Sequence, residues 1–137
     1  NFLDDAILVF NDNVTQFMTK SNVPGGGNAC IRPLRSQGHA IGIPTGDLYT
    51  GGFSSLNQVM PSSLNMPPGM DAKKMIDSAF NDLDHLILND PRKRFVLYCS
   101  DAGGVRIGSG IFSVSGDVLD YITLKLRSLP KRVYHLM

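Results

Sequence analysis

The sequence predicts an α/β domain of three layers, a mostly parallel or mixed sheet flanked by helices. Short continuous apolar runs recur at Ala6-Ile7-Leu8-Val9-Phe10, His39-Ala40-Ile41-Gly42-Ile43, Phe95-Val96-Leu97-Tyr98-Cys99 and Val133-Tyr134-His135-Leu136. Runs without polar alternation suit strands covered on both faces, as in a parallel sheet. Between them lie amphipathic stretches whose apolar residues repeat with the 3.6-residue period of a helix. Strand and helix therefore alternate along the chain, and this order favours one sheet between helical layers.

The first run ends at Asn11-Asp12-Asn13, which is read as a polar loop. As a turn, the triplet follows from Asn and Asp bonding their own backbone. As a site, it offers amides and one carboxylate able to hold a water. Next comes Pro24-Gly25-Gly26-Gly27-Asn28-Ala29, and a helix starting near Asn28 would be limited by Pro33. The second run is stopped by Pro44-Thr45-Gly46. From Thr45 to Met70 the chain is rich in Gly, Ser, Asn and Pro. That length suits either a disordered surface insert or a functional lid or crossover.

The firmest helix spans Asp71 to Leu88, with Ala72, Met75, Ile76, Ala79, Phe80, Leu83, Leu86 and Ile87 on one stripe. Asp71 caps its start and Asn89-Asp90-Pro91 stops it. A second helix runs from about Asp117 to Leu129, with Val118, Leu119, Ile122, Leu126 and Leu129 inward, and Pro130 ends it.

With 137 residues the chain is expected to be a single domain over 1–137, with 45–70 a long loop or insert. A hydrophobic fraction of 42% and a net charge of +1 exclude a disordered chain. The same charge gives no broad pull onto nucleic acid or an anionic membrane, and Arg92-Lys93-Arg94 and Lys131-Arg132 read as solvated flanks. No apolar run approaches the roughly 20 residues of a membrane span. The start lacks the features of a signal peptide and has no Met, as a segment of a longer protein would. Cys30 and Cys99 cannot make a disulfide framework and point to a reducing, cytoplasmic compartment. Cys99 reads as a buried small hydrophobe. Cys30 is a candidate nucleophile with no His or Asn placed to activate it. His39, His85 and His135 have no metal spacing, so neither metal nor cofactor is expected. The chain contains no P-loop, no dinucleotide-binding glycine fingerprint after a strand, and no nucleophile elbow.

Ligands of open α/β sheets bind beyond the carboxyl ends of the strands, where loops open a crevice. Three segments fall there. Asn11, Asp12 and Asn13 follow the first strand. Gly25, Gly26, Gly27 and Asn28 give a bare backbone whose N–H groups can converge on an anion. Gly108, Ser109, Gly110, Ile111 and Phe112 add a second glycine loop, a hydroxyl, and a ring that lies against a ribose or base or else joins the core. Ala102-Gly103-Gly104 competes for the role of this second loop.

In this order the motifs resemble the macro-domain superfamily, and more closely the short macro-like proteins of bacteria and their phages. The resemblance implies a sheet between helices and binding of ADP-ribose, which some members also hydrolyse from proteins or small molecules. It places Gly25, Gly26 and Gly27 at the distal ribose and phosphates. Gly108, Ser109, Gly110 and Ile111 form the second phosphate loop, with Phe112 at the ribose. Asn11 or Asn13 matches the asparagine that touches the distal ribose and positions a water, and Asp12 is the base that hydrolysis would use. The expected partner is thus an ADP-ribose-like small molecule, with ADP-ribosyl hydrolysis as the further expectation. The competing reading is a non-enzymatic interaction protein, phage-encoded, that keeps the fold without the ligand. The spacing of Asn11 and Asn13, two apart where the family's asparagines are three apart, and the Pro-rich 45–70 segment favour it.

Overall fold

The computed structural model describes residues 2–61, 64–101 and 103–136. The chain runs through α1 (Phe2–Asp5), β1 (Ala6–Asn13), α2 (Val14–Thr19), a 3-10 helix (Gly27–Gln37), β2 (Ala40–Asp47) and β3 (Gly51–Gly52). It continues through α3 (Ala72–Asn89), β4 (Phe95–Cys99), α4 (Gly116–Arg127) and β5 (Arg132–Leu136). The strands form one five-stranded sheet in the order β3-β2-β1-β4-β5. Pairings β1–β2, β1–β4 and β4–β5 are parallel, and only the short β3 is antiparallel to its neighbour. The fold is α/β with a mixed sheet.

Side-chain alternation in β1 explains the layers. Ile7 and Val9 enter the larger core, with Phe17 of α2, Met75, Ile76 and Phe80 of α3, and Val118, Ile122 and Leu126 of α4. Phe10 points to the opposite face and packs with Ala29 and Ala40 in a smaller core under the 3-10 helix, joined by Leu8, Ile31 and Leu34. Both faces of β1 are covered, so its apolar run is continuous.

The stripe expected on α3 is buried except for Leu86, which is half-buried, and the Asp71 side chain accepts a hydrogen bond from Lys74 N at 2.9 Å. Replacing Asp71 with Ala should lower the unfolding free energy by about 1 kcal/mol, read from urea midpoints. A midpoint equal to that of the wild type would show that this cap does not hold the helix.

Several expectations need correction. Asn11-Asp12-Asn13 is no loop: the triplet is the buried end of β1, with Asn11 beside Ile43, Asp12 beside Pro44 and Asn13 beside Gly46. Pro44-Thr45-Gly46 does not stop the second strand but lies inside β2. Leu8 N donates to His39 O at 2.9 Å. In a parallel ladder this turns residues 39, 41 and 43 toward β1 and residues 40, 42 and 44 away from it. Pro44 therefore lacks an N–H only on the outer side, where a strand tolerates it.

The 45–70 segment is not a loose surface insert in its described part. Phe53 is 0% exposed and Met60 is buried beside it in the larger core, while Gln58 O and Leu56 O accept from Ala72 N and Lys73 N. Pro33 does not end its helix; it lies within eleven residues of 3-10 helix.

Lys93 is not a solvated flank either. It is buried, with Nζ 3.1 Å from Ala6 O and 2.9 Å from His39 Nδ1, and desolvation pulls its pKa down. Cys99 is exposed rather than buried. Among the described residues no helix is long and apolar enough to cross a membrane.

Candidate functional site

The chain leaves β1 to one side, toward β2, and returns across the sheet to place β4 on the other side of β1. The carboxyl end of β1 is therefore the switch point, where loops diverge and leave a crevice. The glycine-rich turn before the 3-10 helix and the loop after β4 both arrive there. They meet: a Cβ on Gly27 would lie 3.0 Å from Ile111 Cγ2, and one on Gly110 would lie 3.0 Å from Asn11 Cβ. Both glycines have positive φ, +58° and +66°, so geometry and space select glycine at each.

Asn11 ties the two turns together. Its Oδ1 accepts from Asn28 Nδ2 at 2.7 Å, and Asn28 Oδ1 accepts from Asn11 N at 2.9 Å. Asn11 Nδ2 donates to Gly108 O at 2.9 Å and to Thr45 Oγ1 at 3.4 Å. The side chains of Asn11 and Asn28 are thus spent on holding the loops. Asn13 Oδ1 caps α2 by accepting from Gln16 N at 2.8 Å. Its Nδ2 makes no hydrogen bond with the described residues and is open to a ligand.

A cleft of about 170 Å³ lies between these elements. Asn11, Asn13, Gln16, Gly25, Gly26, Asn28, Arg32, Ile111 and Phe112 all line it, with Leu48 at its rim. Gly27 abuts it through Ile111, while Gly108, Ser109 and Gly110 form the loop behind and do not line it. Gly103 and Gly104 lie outside the cleft and Ala102 lies outside the described residues, so the loop beside the cleft is the one at 108–112.

The main-chain donors matter most. Gly25 N donates to Ala29 O and Gly108 N to Cys99 O, so these two are engaged. Gly26, Gly27 and Asn28 in the first turn make no N–H hydrogen bond with the described residues. The same holds for Ser109, Gly110, Ile111 and Phe112 in the second. Two side-chain atoms of cleft residues, Gln16 Oε1 and Arg32 Nε, are buried without a hydrogen-bond partner among the described residues.

No family model, curated protein or solved structure matches this chain.

Asp12 does not face the cleft. Strand alternation turns it to the opposite side from Asn11 and Asn13, where its Oδ1 accepts from Arg32 Nη2 at 2.8 Å and from Asn13 N at 2.9 Å. Arg35 Nη1 lies 3.6 Å from its Oδ2. Burial pushes the Asp12 carboxyl above its ordinary pKa, and the hydrogen bond and charge of Arg32 pull against that rise. A base expected at Asp12 is thus not presented to a bound ligand; the residue holds a buried cation in place.

Arg32 is a cleft residue that the sequence did not announce. It stands 20 positions from Asp12, and no local pattern links the two. Gln16 and Leu48 were missed for the same reason: each reaches the cleft only through the fold. Cys30 and Cys99 do share a place, an apolar hollow of about 220 Å³ that also touches Asn28. No His lines that hollow to activate a thiol. Among the described residues no group of His, Cys, Asp or Glu could hold a metal ion.

Proposed function

We propose that the cleft binds the diphosphate of an ADP-ribose-like nucleotide, as a binding site without a hydrolytic step of its own. The observation that carries this reading is the pair of glycine-bearing turns whose unbonded amides flank one crevice, joined through Asn11. Backbone N–H groups of this kind suit an anion because they supply donors without a buried counter-charge. Hydrogen bonds to a charged group contribute about 1.5–3 kcal/mol each. Three or four of them reach the roughly 8 kcal/mol of micromolar binding after ordering costs.

The cleft is smaller than the roughly 300–1,000 Å³ of a site enclosing a whole drug-sized ligand. It takes the phosphates and one sugar, while the apolar hollow beyond Asn28 offers a surface for the base. Asp12, the carboxylate that hydrolysis would use, is committed to Arg32.

Calorimetric titration with ADP-ribose should give a dissociation constant in the micromolar range. Inorganic pyrophosphate should compete more weakly, since it lacks the sugar and base. No heat up to about 1 mM ligand, a range in which even 4 kcal/mol of binding is visible, would end the proposal.

A further inference from the structure

A second recognition surface lies along the outer edge of β2, away from the cleft. On that side β3 pairs with Gly46 and Asp47, and among the described residues the strand from Ala40 to Ile43 has no strand neighbour on that edge. The ladder geometry fixed by Leu8 N and His39 O turns the N–H and C=O of Ala40 and Gly42 outward. None of these four groups is hydrogen-bonded to the described residues.

They do not lie on an open surface. Ala40 and Ile41 are 1% and 5% exposed and form the floor of a groove of about 360 Å³. Its walls include Phe17, Lys20, Arg35, Asp82 and His85. Main-chain groups at the bottom of a groove need partners, from water or from a ligand. Donors and acceptors at alternate residues, one strand repeat apart, match the backbone of another extended chain.

The charges indicate which chain. Lys20 is paired with Asp82 at 2.8 Å, while Arg35 reaches Asp12 only at 3.6 Å and otherwise donates to Ser21 O. Two cations and one carboxylate face the groove, so it favours acidic side chains, and Phe17 and Leu86 supply an apolar patch between them.

We propose that this groove binds an extended acidic peptide segment, which adds a strand to the free edge of β2. The bound segment continues the sheet in line with β3, its main chain on Ala40 and Gly42 and its carboxylates toward Lys20 and Arg35.

The test uses the ¹⁵N-labelled protein and a capped Val-Asp-Val-Asp-Val peptide as the probe. Saturable shifts at the Ala40 and Gly42 amides, with slowed hydrogen exchange at both, are expected. Methylating the peptide's backbone nitrogens at alternate residues should weaken binding by about tenfold or more, and a Val-Lys-Val-Lys-Val peptide should bind weakly for want of charge complementarity. Ala40→Pro removes one outward N–H without touching the ladder to β1 and should cause a similar loss. If that variant does not fold, the methylated peptide decides on the wild-type protein. Equal binding of the methylated peptide overturns strand addition. So does an absence of shifts up to about 1 mM peptide, which would leave water as the occupant. Shifts at Ala40 and Gly42 that depend on protein concentration without peptide would assign the edge to a second copy of the chain, and would also overturn the proposal.

Discussion

Replacing Asp12 with Ala lowers the unfolding free energy by about 3–5 kcal/mol, enough to unfold a marginal domain. The reason is the cation left behind. Arg32 and Asp12 side chains are 4% and 0% exposed, so neither is solvated, and each is the other's main compensation. The guanidinium also donates to Val23 O at 2.9 Å, which satisfies a hydrogen bond but not the charge. Arg35 adds to the burden, because its charge lies 3.6 Å from the same carboxylate. Urea denaturation should show the loss directly. The double variant Asp12→Leu with Arg32→Met should recover part of it, because replacing a buried pair with apolar residues of similar volume is often neutral while Arg35 keeps its charge without the carboxylate. If the single variant is as stable as the wild type, the pair does not hold β1 to the 3-10 helix. A loss of any activity in Asp12→Ala would accordingly have to be separated from unfolding before it was read as chemistry.

That pair also shows where reading the sequence stops. The runs Ala6–Phe10 and Phe95–Cys99 are legible because apolar continuity is a local property, and α3 is legible because eight apolar residues keep one period. Asn11-Asp12-Asn13 and Pro44-Thr45-Gly46 look like strand ends because each residue has a local preference for turns. The structure overrides that preference with partners far along the chain: Arg32 for Asp12, Asn28 and Gly108 for Asn11, Asn11 for Thr45. Lys93 fails in the same way, since its partners Ala6 and His39 are distant in sequence. For the site, the glycine turns were legible as bare backbone, and the structure brings both to Asn11. Which amides stay unbonded, and that Asp12 faces the other way, depend on strand phase and pairing that the sequence does not display.

Gly26→Glu tests the nucleotide proposal with the largest expected effect on affinity. Gly26 has φ of −75° and ψ of 162°, a conformation open to any residue, and a Cβ there would meet nothing nearer than Ile111 Cγ2 at 3.9 Å. The variant should therefore fold like the wild type while placing a carboxylate at the mouth of the cleft. Two unit charges about 4 Å apart near a protein surface repel by about 4 kcal/mol, so the dissociation constant for ADP-ribose should rise by at least about 100-fold. Gly26→Gln has the same bulk without the charge and should lose far less. Gly110→Glu is a poorer test, because φ of +66° and the contact with Asn11 strain any side chain and would disturb the loop itself. Calorimetry on the Gln and Glu variants, with thermal melts to confirm equal folding, separates charge from bulk. Equal affinity in wild type, Gln and Glu would mean that the phosphates lie elsewhere; equal losses in Gln and Glu would mean that the turn is occupied by something other than an anion.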